Sequence, residues 1–208
     1  AIKKASEPLH IQWNPATDEV EVVNYSAGTH SHLTARVQIL NMDASVAWEK
    51  ETTVDSREDT TEKCIKLEFP ETLSEVYFIK LWLLEDGKIL SDNFYHASRK
   101  GINYQALKQL PEVTLDCQVK MAQDKEGNWT ATVTLTNPTS TPALMTRINV
   151  VGDKDGDQFL PILYEDNYFA LLPGEQKEVS VRWKDVDTRG NSPVIRITGY
   201  NVKELSRQ

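Results

Sequence analysis

This 208-residue chain has only 2 cysteines, 9 glycines and 4 histidines. Each scarcity excludes something. No apolar run approaches the roughly 20 residues that a membrane helix needs. The opening residues 1–8, Ala-Ile-Lys-Lys-Ala-Ser-Glu-Pro, have no apolar stretch of the kind found in a secretory leader. They also lack an initiator Met, which points to a mature or excised segment. Basic residues are outnumbered, 23 Lys and Arg against 31 Asp and Glu, for a formal net charge of −8. Nucleic acid and anionic membrane both need a basic face, so neither is expected as a partner. Glycine loops that cradle phosphate are missing, as are a Gly-x-Ser-x-Gly elbow and a His-Glu-x-x-His helix.

The two thiols, Cys64 and Cys117, fall in different halves of the chain, so neither half can close a bridge of the antibody kind. Zinc needs about four ligands, and neither cysteine has a Cys or His at ligand spacing. Both are read as lone buried thiols, packing as small hydrophobes. His30 and His32, two apart in an extended segment, lack a third ligand, and His10 and His96 are isolated. No metal or cofactor is expected. The Asp-rich run 153–157 starts like a calcium loop, but Tyr164 stands where the bidentate Glu belongs. It is read as a hairpin turn.

What is present is strand after strand. In residues 33–40, Leu33, Ala35, Val37 and Ile39 share one face while Thr34, Arg36 and Gln38 take the other, the period-two pattern of a half-buried strand. Residues 18–24, 45–54 and 63–69 repeat it. Residues 76–84 are nearly all apolar, as in a strand covered on both faces. Asp86-Gly87 then supplies a hairpin turn into residues 89–95. Residues 98–111 break the rhythm and are read as a linker with one helical turn, with Ile102, Tyr104 and Leu107 as its apolar members. Strands resume at 113–121, 129–137, 144–151, 159–164, 176–183 and 193–200, with Trp129, Ala131, Val133 and Leu135 on one face.

About seven short strands per half, with regular turn signals, indicate an all-β chain of two tandem immunoglobulin-like β-sandwich domains, residues 1–103 and 104–208. Both halves are acidic, with 11 basic and 17 acidic residues in the first and 12 and 14 in the second. Of the five tryptophans, Trp82 and Trp129 are placed on inward strand faces, whereas Trp13 and Trp183 lie near strand ends. Asn24-Tyr-Ser26 and Asn128-Trp-Thr130 fit the glycosylation triplet, a pattern that chance produces often and that is discounted here.

One stretch is distinctive: residues 161–175, Pro-Ile-Leu-Tyr-Glu-Asp-Asn-Tyr-Phe-Ala-Leu-Leu-Pro-Gly-Glu. It resembles the last, immunoglobulin-like domain of family 2 glycoside hydrolases of the β-mannosidase and exo-β-D-glucosaminidase branch. Residues 134–138, Thr-Leu-Thr-Asn-Pro, and 197–201, Ile-Thr-Gly-Tyr-Asn, resemble that domain too. The first half is similar to the sandwich preceding it in those enzymes, although His96 stands where the family has Trp. Pro173-Gly174 reads as a turn on its own physics, and Asn167, Tyr168 and Phe169 as anchors of the loop, the aromatics filling the sandwich end. If the loop faces a glycan, Asp166, Asn167 and Tyr168 are the substrate-binding candidates.

The resemblance implies retaining glycosidases whose two catalytic glutamates sit in a (β/α)₈ barrel of at least ~200 residues. No such region is present, and no Glu here takes either role, so no catalytic residue is assigned. The chain is expected to be the C-terminal accessory pair of a longer hydrolase, with the catalytic barrel of the same parent chain as its partner. An independent carbohydrate-binding or adhesion module is the alternative, distinguished by exposed aromatics. The resemblance alone implies export, periplasmic or secreted.

Overall fold

The computed structural model describes residues 7–101 and 103–208, so the opening six residues and Ile102, on which parts of the sequence reading rest, lie outside the described residues. The chain divides into two units, one running to Gln109 and the other spanning Leu110–Gln208.

The first unit is built from seven strands: β1 Leu9–Asn14, β2 Glu19–Asn24, β3 His30–Asn41, β4 Val46–Ser56, β5 Thr60–Lys66, β6 Val76–Glu85 and β7 Lys88–Ser98. They form a three-stranded sheet, β1-β2-β5, facing a four-stranded one, β4-β3-β6-β7. The alternation in β3 places Leu33, Ala35, Val37 and Ile39 in the core at 0% exposure. Ile11, Val20, Val22 and Ile65 meet them from the opposite sheet. Asp86 and Gly87 both take positive φ, 49° and 78°, the two left-handed positions that a tight hairpin between β6 and β7 requires. Glu21, only 6% exposed, stays satisfied because Gln12 Nε2 and Asn14 Nδ2 each donate to it at 3.0 Å.

Strand β6 corrects one expectation. Its core face carries Tyr77, Ile79, Leu81 and Leu83. Trp82 therefore lies on the opposite face, half-buried, with the Arg36 guanidinium and the Lys80 ammonium each 5.5 Å from its ring. A strand buried on both faces, with Phe78 as fully buried as Ile79, hides its phase. The register resolves it, because Trp82 pairs with the outward-facing Arg36.

A 3₁₀ turn, Gln105–Gln109, is the helical turn of the linker. The second unit then has eight strands: β8 Asp116–Gln123, β9 Asn128–Thr136, β10 Ala143–Gly152, β11 Leu163–Tyr164, β12 Phe169–Leu171, β13 Gln176–Lys184, β14 Pro193–Thr198 and β15 Leu205–Arg207. Their sheets run β11-β13-β9-β8 and β12-β10-β14-β15. Without the two-residue β11, this is the same three-on-four order as in the first unit, strand for strand. In both, the fourth strand (β4 or β12) pairs with the third, unlike the four-and-three of antibody constant domains. Ala131, Val133 and Leu135 of β9 and Val179, Val181 and Trp183 of β13 pack against Ile148, Val150, Ile195 and Ile197.

Both cysteines are free, Cys117 buried and Cys64 half-buried. Desolvation lifts the Cys64 thiol to about 11 and moves Cys117 upward too. These are inert packing thiols. The run 153–157 is a closed turn, with Gly152 N donating to Asp157 O and Gly156 N to Gly152 O. No described helix is long and apolar enough to cross a membrane.

Candidate functional site

The loop between β11 and β13 is organised around a defect in β10. Ala143 pairs with Leu171 and Thr146 with Phe169, and the register shifts between them. Met145 absorbs the shift with φ 51° and stands half-exposed. Pairing of β12 stops at Phe169, yet the ladder continues through a side chain. Asn167 Oδ1 accepts from Ile148 N at 2.9 Å and Asn167 Nδ2 donates to Ile148 O, also at 2.9 Å. A carboxamide here does the work of one more backbone residue.

Asp166 lies beneath. Its Oδ1 accepts from Asn167 N at 2.8 Å and its Oδ2 sits 2.7 Å from Lys177 Nζ, with the two side chains 14% and 24% exposed. The same ammonium lies 4.9 Å from the Phe169 ring, which is buried in the core. Tyr168 departs from the expected anchoring role. Its φ is 62°, the residue is 54% exposed, and the Arg147 guanidinium lies 5.4 Å from the ring centroid. Phe169, the first residue of β12, is the buried one of the two, while Tyr168 precedes the strand in the left-handed region and is exposed. Of the three sequence-chosen residues, Asp166 and Asn167 have their polar atoms engaged inside the loop and Tyr168 stands in solvent. The Arg147 and Lys177 contributions carried no sequence signal, since each comes from a separate strand.

The loop closes on the turn 172–175. Glu175 N donates to Leu172 O at 3.0 Å, with Pro173 at the second position and Gly174 at φ 76° at the third, a type II arrangement. Glu175 Oε2 accepts from Leu172 N at 2.9 Å. Asn137, fully buried, donates to Leu171 O at 2.9 Å and Thr141 O at 2.8 Å. Asn201 likewise donates to Pro111 O and Pro142 O and accepts from Leu144 N. Burial pushes the neighbouring Tyr164 phenol upward.

Elsewhere the chemistry is that of turns and cores. Glu19, Asp43 and Asp124 are held below the usual carboxylate range by hydrogen bonds from Lys63, Ser45 and Asn128. That is the direction of anions accepting hydrogen bonds, opposite to that of a general acid. His30 contacts Ser26 Oγ at 3.1 Å, while His32 has φ 57° at a bulge, so the strand alternation that would pair the two rings is broken. Among the described residues no group of three or more His, Cys, Asp or Glu is gathered for a metal. Trp129 and Trp183 stack at 6.0 Å, Trp13 meets Tyr95 edge-on at 5.7 Å, and Trp13 and Trp48 pack against the first core. None of the five tryptophans stands among the exposed side chains. Asn24 of the first glycosylation triplet is fully buried.

Two sandwiches of one strand order, joined by a short 3₁₀ turn and carrying a pinned Asp-Asn-Tyr-Phe loop, define a tandem immunoglobulin-like accessory module. The comparisons assign it. The family described as the exo-β-D-glucosaminidase Ig-fold domain matches residues 93–202, and the chain belongs to that family. An exo-β-D-glucosaminidase of Streptomyces avermitilis is 31% identical over 97% of this chain. The crystal structure of the Amycolatopsis orientalis exo-chitosanase CsxA superposes with a TM-score of 0.91 at 26% identity, over 99% of this chain and 27% of that one. A mannosylglycoprotein endo-β-mannosidase of Lilium longiflorum is 22% identical over 96% of this chain. The chain spans about a quarter of the length of these relatives, 25% of the Streptomyces protein and 27% of the Lilium one.

Proposed function

We propose that this chain is the non-catalytic C-terminal pair of accessory domains of a family 2 retaining β-glycosidase. It supports a catalytic barrel carried by the same parent protein. The observation that carries the reading is the likeness along nearly the whole chain, 97%, to one quarter, 25%, of an exo-β-D-glucosaminidase. The parent's substrate is a β-D-glucosaminide, the activity named for the more similar relatives, and a β-mannoside is the rival. The parent is exported, to the periplasm or beyond.

Retention of configuration needs two carboxyl groups about 5 Å apart flanking the scissile bond. The carboxylates with shifted proton affinity here serve a cross-strand ion pair, Glu19 with Lys63, and two turns, at Asp43 and Asp124. The test compares the 208-residue chain with the product of its whole reading frame on p-nitrophenyl β-D-glucosaminide and β-D-mannoside. Release by the whole product and none by the chain supports the reading. Release by the chain itself overturns it. An independent carbohydrate-binding module is the second reading, favoured by one observation, the exposed Tyr168 ring beside Arg147.

A further inference from the structure

We propose that Tyr168, Arg147 and Gln158 form a contact site for a non-cationic saccharide, resting on the reading of this chain as part of a glycoside hydrolase. Tyr168 is 54% exposed, an aromatic side chain open to stacking on the apolar face of a pyranose. Its backbone is also preorganised. Asn167 Oδ1 accepts from Tyr168 N at 3.1 Å while that same carboxamide is locked to Ile148 on both its atoms. A backbone fixed before binding loses little entropy on contact. Asp166 and Asn167 are therefore the base of the site, and Tyr168 is its contact.

The polar part comes from β10 and its neighbouring loop. Arg147 lies against the Tyr168 ring and donates to Gln158 Oε1 at 3.4 Å. Among the described residues no carboxylate pairs with Arg147, and Gln158 Oε1 is the hydrogen-bond acceptor its guanidinium meets. A guanidinium presents five donors in a planar fork, suited to paired hydroxyls or an acetamido oxygen. The exposed Gln158 adds an amide that both donates and accepts. An aromatic face with a few convergent polar groups is the usual composition of a small-ligand site.

The charge decides the ligand class. The charged group that lies against the ring is the Arg147 guanidinium, and the neighbouring Asp166 is neutralised by Lys177. A protonated amino sugar brought to Tyr168 meets Arg147 with like charge, whereas a neutral or N-acetylated ring does not. The site selects against the cationic polymer that a glucosaminidase barrel would receive.

The test titrates the 208-residue chain with N-acetylglucosamine hexamer, mannohexaose and glucosamine hexamer at pH 5.5, followed by calorimetry and by the NMR signals of the Tyr168 ring. A neutral hexamer is expected to bind at least about tenfold more tightly than the glucosamine hexamer. Tyr168→Ala and Arg147→Met should each weaken it by at least about tenfold, and Tyr168→Phe should retain it, with urea unfolding confirming that each variant is folded. No binding of either neutral hexamer at millimolar concentration overturns the proposal. So does equal binding by Tyr168→Ala, or tighter binding of the glucosamine hexamer. The accessory-domain reading fails on a different observation, a reading frame without a barrel, so the two failures are told apart.

Discussion

Asn167 hydrogen-bonds both the N–H and the C=O of a single residue, Ile148, each at 2.9 Å. A side chain thereby extends the β10–β12 ladder past the point where backbone pairing stops at Phe169. Replacing Asn167 with Ala leaves the N–H and C=O of the fully buried Ile148 unmatched, at a cost of about 2–4 kcal/mol. Asn167→Asp should be no better, because a carboxylate accepts from Ile148 N but cannot donate to Ile148 O. Urea unfolding of the three proteins measures both, and a loss below about 0.5 kcal/mol would refute the pinning.

The two sandwiches share a second device. Asn24 at the end of β2 accepts from Ser26 N at 2.8 Å and donates to Gly28 O and Ser56 O. Asn137 after β9 accepts from Thr139 N at 3.1 Å and donates to Thr141 O and Leu171 O. Both are fully buried. Each Asn→Ala substitution should cost about 2–4 kcal/mol, with amide exchange accelerated chiefly in its own unit. Equal acceleration in both units would contradict the assignment.

Gly199 is fixed by close approach. A Cβ there would stand 2.6 Å from Val202 Cγ2 and 2.9 Å from the carbonyl oxygen of Leu144. The carbonyl cannot swing away, because it accepts from Tyr200 N. Gly199→Ala should destabilise the second sandwich by about 1–3 kcal/mol, read as a lowered Tm. An unchanged Tm would mean that the 199–202 turn yields freely.

Alkali should weaken the fold. Burial raises the Cys64 thiol from 9.0 to about 11 and lifts Cys117, Tyr77 and Tyr164 as well. The folded chain holds these protons more tightly than the unfolded one, so stability is full below the unfolded thiol value and falls as pH rises from 9 towards 11. The Cys64→Ala variant should show a shallower decline in urea midpoints. At pH 8 the native Cys64 should react with iodoacetamide about 100-fold more slowly than a free thiol, from its smaller thiolate fraction. A pH-independent midpoint would refute the burial argument.

Much of this was legible in the residues. The alternation in β3 and β9 named the core faces, and Asp86-Gly87 and Pro173-Gly174 named their turns, because local chemistry determines both. The sequence did not show β1, β12 or β15. Strands of 3 residues such as β12 and β15 are too short to show a period. Trp82 was misplaced because β6 carries buried apolar residues on both faces, Phe78 on one and Ile79 on the other, which leaves the phase undefined. In the candidate loop, Asn167 as a backbone partner was readable from its type. Tyr168 facing out was not, since that depends on the bulge at Met145, which is a property of the pairing between β10 and β12.

The measurement that tests the account most directly is the sequence of the complete reading frame that encodes these 208 residues. The account requires an in-frame (β/α)₈ barrel, with two glutamates at the C-terminal ends of its strands, preceding the first sandwich. A frame that encodes the two sandwiches and no barrel would contradict it.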